Sequence, residues 1–231
     1  MIFNYRNETI VVNGRREKYF REVEILEYIT SNYTFSNSII DCGANYGNHT
    51  IYLAKYTDCS HVYSFEPIPN IHQVLQENVL ANKIDKKVTC YNSGVSKKEK
   101  DLRLISFIEN TQGAFWFWYE GENYRHPADM GYGHLHRKNR PVQSLTVKSV
   151  PLDSKIDQFG KVDFIKIDVE GMEMEVLEGA TGLINRNRPL IYIEACLGTQ
   201  NKVREWVKNN RYSKVGNHHF HGHHWLLEPI K

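Results

Sequence analysis

Short apolar segments with an acid near their carboxyl ends recur along this chain, and most are followed by a stretch of helical period. "SIIDCG" precedes 46–56, "HVYSFEP" precedes 70–84, "VDFIKIDV" precedes 171–187, "PLIYIEA" precedes 199–210, and "VTCYNSG" supplies a further strand. Successive strands separated by helices need crossover connections, which pair the strands in parallel and cover both faces of the sheet. The expectation is an α/β fold built on a largely parallel sheet. Ahead of the first strand, "KYFREVEILEYITS" places Phe20, Val23, Leu26 and Ile29 three apart, which predicts an amphipathic helix over 18–31.

Two regions depart from this rhythm. Residues 101–150 hold strand-like pieces, "LRLISFIE" and "SLTVKSVPL", around an irregular insertion over 110–141. A connection that long inside a compact domain is functional or disordered. The carboxyl end, "YSKVGNHHFHGHHWLLEPIK", has no helical period and offers Gly216 and Gly222 as turn residues, so it is expected to close the fold as an antiparallel hairpin.

A chain of 231 residues with this pattern is expected to form a single domain over 1–231. With 41% hydrophobic residues, 24% charged residues and a net charge of +2, nothing in the charge balance implies a polyanionic partner. No apolar run reaches the length of a membrane span, and "MIFNYRNETIVVNGRREKYF" lacks the apolar centre of a signal peptide. A cytoplasmic location is therefore expected. Cys42, Cys59, Cys90 and Cys196 are scattered without a C-x-x-C pair and are expected to be reduced thiols.

The turn after the first long strand, "DCGANYGNHT", carries the pattern D-x-G-x-N-x-G. It differs in spacing from the dinucleotide fingerprint G-x-G-x-x-G, and no G-K-[ST] follows to make a P-loop. In an open α/β sheet, ligands bind beyond the carboxyl ends of the strands, and Gly43, Ala44 and Gly47 give such a ligand clearance. Asp41 at the strand end would repel a phosphate and suits a cation. Glu66, ending the next strand in "YSFEPIP", can accept both ribose hydroxyls of a nucleoside. A cationic adenosine derivative fits both acids, and S-adenosylmethionine is that ligand.

"DCGANYGNHT", "FEPIP", "NSGVS", "LD", "VDFIKIDVEGMEMEVLEGA" and "LIYIEA", in this order, resemble the FkbM family of S-adenosylmethionine-dependent methyltransferases. The resemblance covers residues 36–196. It implies the class I Rossmann-like methyltransferase fold: a seven-stranded, mostly parallel sheet of order 3-2-1-4-5-7-6 with helices on both faces. The last two strands would be the C-terminal antiparallel hairpin. It also implies that Asp41, Gly43, Asn45 and Gly47, with Asn48 beside them, serve the methionine end of the cofactor. Glu66 would take the ribose, Asn92 and Ser93 would lie near the adenine, and Asp168 would border the cofactor. Family members commonly methylate hydroxyl groups of sugars and other small or glycosylated acceptors.

Methyl transfer to a hydroxyl needs alignment and a group to take the hydroxyl proton, or a metal to acidify it. Asp168 in "KIDVEG" shares a strand face with Lys166 by the two-residue period, Glu170 continues it if the strand is still extended there, and Glu194 ends the neighbouring strand. Asp168 leads as base or metal ligand. Asp168 and Glu194 are candidate ligands for Mg²⁺ or Mn²⁺, and the sequence accommodates a metal-free base equally.

The insertion carries Phe115, Trp116, Phe117, Trp118, Tyr119, Tyr124 and Tyr132, whose rings can stack on sugar C–H groups or pack in a core. His136, with His126 and His134, is a candidate base or acceptor contact. His218, His219, His221, His223 and His224 cannot all converge on one ion from a hairpin, because alternate residues face opposite sides. They are expected on a surface or edge strand. The function expected is sugar or glycan O-methylation. The alternatives are RNA or protein methylation on the same fold, or a module that binds the cofactor without turnover, and low basicity disfavours nucleic acid.

Overall fold

A computed structural model of the chain describes residues 2–14, 19–106, 118–119, 143–195, 198–216, 220 and 222–230. The chain opens with an antiparallel hairpin, β1 (Ile2–Tyr5) and β2 (Glu8–Val11), followed by α1 (Val23–Asn32). Then come β3 (Ser38–Cys42), α2 (Asn48–Tyr56), β4 (His61–Phe65), α3 (Pro69–Ala81) and β5 (Val88–Tyr91). A group of strands intervenes: β6 (Gly94–Val95), β7 (Lys100–Ser106), β8 (Trp118–Tyr119) and β9 (Gln143–Val150). The alternation resumes with α4 (Ile156–Phe159), β10 (Val162–Ile167), α5 (Glu173–Glu178), α6 (Thr181–Asn187), β11 (Leu190–Glu194) and α7 (Gln200–Asn209). It ends in β12 (Tyr212–Lys214) and β13 (His224–Pro229).

The main sheet has the order β12-β13-β11-β10-β3-β4-β5, with β3, β4, β5, β10 and β11 parallel and β13 antiparallel to both neighbours. Renumbered within the sheet, this is 3-2-1-4-5-7-6 read from the β5 edge. The α/β class, the mostly parallel seven-stranded sheet and the closing hairpin all match the sequence-based expectation.

Both faces of the sheet are apolar because both are covered. Ile39, Phe164, Tyr192 and Leu226 pack on one face with Leu26 and Ile29 of α1, Tyr52 of α2 and Leu75 of α3. Ile40, Ile165, Ile167, Ile191 and Ile193 pack on the other with Val176, Leu177, Leu183 and Val203 from α5, α6 and α7. Strands buried on both sides read as continuous apolar runs, which is why "SIIDC" and "LIYIE" stand out in the sequence.

Several boundaries differ from the sequence-based reading. The first helix begins at Val23 because Glu22 takes a left-handed backbone, φ 56°. Phe20, whose spacing mimics the helical period, lies outside it with edge-on ring contacts to Phe3 (5.1 Å), Tyr5 (5.2 Å) and Tyr52 (5.2 Å). The β1–β2 hairpin was not foreseen. Asn78 on α3 and Asn82 just past its end bind the chain that leaves the hairpin: Val11 and Asn13 donate their N–H groups to Asn82 (3.1 Å) and Asn78 (2.7 Å). Their amide nitrogens return hydrogen bonds to the carbonyls of the same two residues.

The single helix expected over 171–187 is two. Gly179 packs so closely on Ser96 that a Cβ would stand 2.1 Å from its carbonyl oxygen. The second helix is capped from afar, with Asp153 accepting hydrogen bonds from the N–H groups of Gly182 and Leu183, both at 2.8 Å.

The pieces at 101–150 pair with each other in a second sheet of order β6-β9-β7-β8. No described helix is long and apolar enough to cross a membrane.

Candidate functional site

The register of the main sheet lines up polar residues where its parallel strands end. Asp41, Lys166, Tyr192 and Leu226 are neighbours across β3, β10, β11 and β13, and Glu194 pairs with His224 one step further along. By the two-residue period, Asp168, Glu194 and His224 continue the face begun by Lys166, Tyr192 and Leu226. This face carries α1 to α3, so the polar row lies between the strand ends and those helices.

Lys166 organises the row. Its side chain is 4% exposed, and Nζ lies 3.1 Å from Asp41 Oδ1 and 3.4 Å from Asp168 Oδ2 while donating to the Gly43 carbonyl at 2.8 Å. Burial works against its charge, but Asp41 and Asp168 outweigh burial and hold the ammonium protonated well above the usual lysine range. The other oxygen of Asp41 accepts a hydrogen bond from Thr50 Oγ1 at 2.7 Å, and Thr50 in turn meets Ser64 Oγ at 2.8 Å. Asp41 is wholly buried, so its carboxylate serves Lys166 and Thr50.

Asp168 keeps a third of its side-chain exposure, 33%. Burial tends to push its carboxyl up, yet the Lys166 ammonium and a hydrogen bond from Glu194 hold it below the usual carboxylate range. Glu194 is pushed the other way, first by burial and then by the Asp168 charge and their hydrogen bond. Of the two carboxyl groups, Asp168 is the one held towards the ionised form and Glu194 the one pushed towards the protonated form. Glu170 is pushed up by desolvation and by Asp168 and Glu173, an effect that solvent at its exposed side chain screens. Its φ of 52°, followed by Gly171 at 100°, turns the chain sharply after Asp168.

The loop after β3 is bare for reasons internal to the fold as well as for clearance. Gly43 has φ 80°, and a Cβ there would stand 1.8 Å from the Asp168 carbonyl oxygen. At Gly47, φ is 88° and a Cβ would stand 2.6 Å from Leu75. Asn45 shares the left-handed conformation at 52°, accepting a hydrogen bond from Tyr46 N–H at its own side-chain oxygen. The N–H groups of Gly43 and Ala44 bond the Phe65 carbonyl, that of Asn45 bonds Glu66 and that of Gly47 bonds the Ala44 carbonyl. These amides have internal acceptors, unlike those of a phosphate-binding nest.

Glu66 is 4% exposed and accepts from the N–H groups of Asn45 and Ile68, both at 2.9 Å. Burial pushes its carboxyl up to about 7 against the pull of those two donors. Asn92 ties the end of β5 to this corner, donating to the carbonyls of Glu66 (3.0 Å) and Pro67 (3.1 Å), and Ser93 beside it is half-buried. Asn48 turns away from the rim: its buried amide accepts from Arg21 N–H at 2.9 Å and donates to the Arg21 carbonyl at 3.1 Å.

The structure thus gathers Asp168, Glu170 and Glu194 at one rim, with Gly43 beside them. Glu66, Asn45 and Asn92 form a second corner at the ends of β4 and β5. Among the described residues no three His, Cys, Asp or Glu side chains are grouped to hold a metal. The Lys166 ammonium, 3.4 Å from Asp168, already supplies positive charge beside the Asp168–Glu194 pair. His136, with the whole of 110–117 and 120–141, lies outside the described residues, as do Cys196, His218, His219 and His221.

Sequence reasoning gave no part to Glu22, His49 or Tyr192 and treated His224 as an edge histidine. Glu22 Oε2 lies 3.2 Å from His49 Nε2 and accepts from Tyr192 Oη at 3.3 Å, while Tyr192 Oη meets His224 Nδ1 at 2.6 Å. The only signal was polar residues at strand ends, since the partners are far apart in the chain.

A family model described as the methyltransferase FkbM domain matches residues 41–214. Methyltransferase sdnD of Sordaria araneosa is 27% identical over 66% of this chain and 63% of its own length. Methyltransferase 1 of Beauveria bassiana (strain ARSEF 2860) is 24% identical over 61% of this chain and 57% of its own. The chain therefore spans about three fifths of the length of these curated relatives. The crystal structure of methyltransferase FkbM from Methylobacillus flagellatus KT shares the fold, with a TM-score of 0.57 and 19% identity over 85% of this chain and 44% of that one. The glycine turn, the acid-tipped strands and the matched span together place this chain in the family of methyltransferase FkbM domains.

Proposed function

We propose that the chain is an S-adenosylmethionine-dependent O-methyltransferase whose acceptor is a hydroxyl of a saccharide or glycosylated molecule. The observation that carries the proposal is the carboxylate pair Asp168–Glu194 beside the Gly43 turn, with Lys166 beneath it. Carboxylates dominate this end of the sheet, which favours a cation such as a sulfonium over a phosphate. The internally bonded amides of the turn support the same preference.

The residues present fit this cofactor. Glu66 has one backbone donor on each oxygen, which leaves each a second lone pair for a ribose hydroxyl. Asn45 and the Gly43–Gly47 turn would border the methionine end, with Asn92 and Ser93 towards the base. Asp41 and Asn48 hold the neighbouring elements in place. When bound, S-adenosylmethionine supplies an electrophilic methyl group. Asp168, kept ionised by Lys166, is the proton acceptor for the attacking hydroxyl, and Glu170 and Glu194 flank it.

A saccharide acceptor is supported by the aromatic residues of the insertion and by a charge balance that offers little to nucleic acid. The test is transfer of labelled methyl from S-adenosylmethionine to a glycan panel, with tRNA and rRNA fragments in parallel. Incorporation into a glycan that Asp168→Asn abolishes supports the proposal. Incorporation into RNA alone contradicts the acceptor, and cofactor binding without transfer to any acceptor favours a non-catalytic module.

A further inference from the structure

We propose that Glu22, acting through Tyr192, is a positioning residue that fixes the orientation and tautomer of His224 at the methyl-transfer site. The proposal rests on the reading that the ends of β10 and β11 carry that site. Glu22 precedes and His224 follows the span 41–214 matched by the family model, so the two ends of this arrangement come from the flanks and Tyr192 from within the span.

Glu22 is placed by backbone. Asn48 clamps both backbone polar groups of Arg21, and the left-handed turn at Glu22 sends the next residues into α1. Its carboxylate then lies over the sheet, between His49 on α2 (3.2 Å) and Tyr192 on β11 (3.3 Å). Burial disfavours that charge, but the hydrogen bond and charge of His49 outweigh it and keep Glu22 ionised far down the pH scale. Tyr192 is held as a neutral phenol by burial and by the negative charges of Glu22 and Asp168.

The phenol has one proton and two neighbours. If that proton pointed to His224 Nδ1, the phenolic oxygen would face the Glu22 carboxylate at 3.3 Å with no proton between two acceptors. If it points to Glu22, the 2.6 Å contact is filled by an Nδ1–H group of His224, and every contact in the chain has a donor. The second arrangement satisfies His224 Nδ1–H to Tyr192 Oη, Tyr192 O–H to Glu22, and His49 Nε2–H to Glu22. A neutral His224 then carries its proton on Nδ1, and Nε2 is the nitrogen that gains one.

His224 is the register partner of Glu194 on the same face, so its imidazole adds a titrating group beside the Asp168–Glu194 pair. Among the described residues, the ionisable groups around it include Tyr192 and Glu194 on β11 and Glu22 at the start of α1, while His49 on α2 and Lys166 on β10 act on Glu22 and Asp168 acts on Tyr192. Its neighbour His223 is engaged separately with Gln200 at 3.2 Å.

The test is long-range 1H–15N correlation on the full chain labelled at histidine, with the His224 signal assigned by its loss in His224→Gln. A neutral His224 protonated on Nδ1, shifting towards the Nε2–H form in Tyr192→Phe and titrating at lower pH in Glu22→Gln, is the expected result. An Nε2–H tautomer in the unaltered protein overturns the proposal without reference to either variant. Ring shifts that do not change in a folded Tyr192→Phe also overturn it. Titrating the same sample with S-adenosylmethionine separates the two readings, because absence of binding defeats the proposed function while the tautomer is read independently.

Discussion

The Lys166 ammonium stands 3.1 Å from the carboxylate of Asp41, a residue with no solvent exposure, and the two are direct neighbours across β10 and β3. A buried ion pair contributes little net stability over an apolar replacement of both partners, but removing one partner strands the other charge. Lys166→Met leaves the buried Asp41 carboxyl without its cationic partner. The expected loss is about 3–5 kcal/mol of unfolding free energy, read by urea denaturation. A loss below about 1 kcal/mol would place Asp41 in contact with water.

Gly43 is required by close approach as well as by backbone angle. Gly43→Ala forces a left-handed alanine and sets its Cβ 1.8 Å from the Asp168 carbonyl oxygen. Strain and overpacking each cost about 1–3 kcal/mol. The variant is expected to melt well below the unaltered protein and to lose cofactor binding, because the displaced strand end carries Asp168. Thermal unfolding followed by calorimetric titration checks both.

Asp168→Asn removes the charge that raises Glu194. The Glu194 carboxyl is expected to titrate closer to the ordinary range, as read by 13C carboxyl NMR. Methyl transfer to an acceptor should fall more steeply than cofactor affinity. An unmoved Glu194 titration would mean that burial alone sets it.

Glu66, raised to about 7 by burial, has a pH signature of defined sign. Its folded-state value lies above the unfolded one, so the native state binds more protons between pH 4.5 and 7, and Glu66 lowers stability as pH rises through that window. Cofactor binding uses the ionised form, so affinity should rise with pH up to about 7 and fall about tenfold per unit well below it. Calorimetry in two buffers of different ionisation heat should show proton release on binding near pH 6. Uptake of a proton would contradict the assignment of the ribose to an ionised Glu66.

The central strands β3, β10 and β11 were legible because each is a largely apolar run buried on both faces, and the resemblance supplied the strand order. The α1 boundary was not, because Phe20 repeats the spacing of Val23, Leu26 and Ile29 while packing among aromatic rings outside the helix. Nor was the break between α5 and α6, where Gly179 approaches Ser96 across the fold. Lys166 was visible as a face-mate of Asp168, but its hold on Asp41 depends on the β3–β10 register. The Glu22–Tyr192–His224 chain was invisible for the same reason: its members are brought together only by sheet pairing and by the clamp on Arg21.

The central claim is that the acid-tipped strand ends hold S-adenosylmethionine. Calorimetric titration of the purified chain with that compound, after chelator treatment, tests it most directly, with Glu66→Ala measured beside it once its fold is verified by melting. The account predicts saturable binding without added metal, weakened about 10- to 100-fold in the variant by loss of hydrogen bonds to a charged group. Absence of binding, or equal affinity in a folded Glu66→Ala, would contradict it.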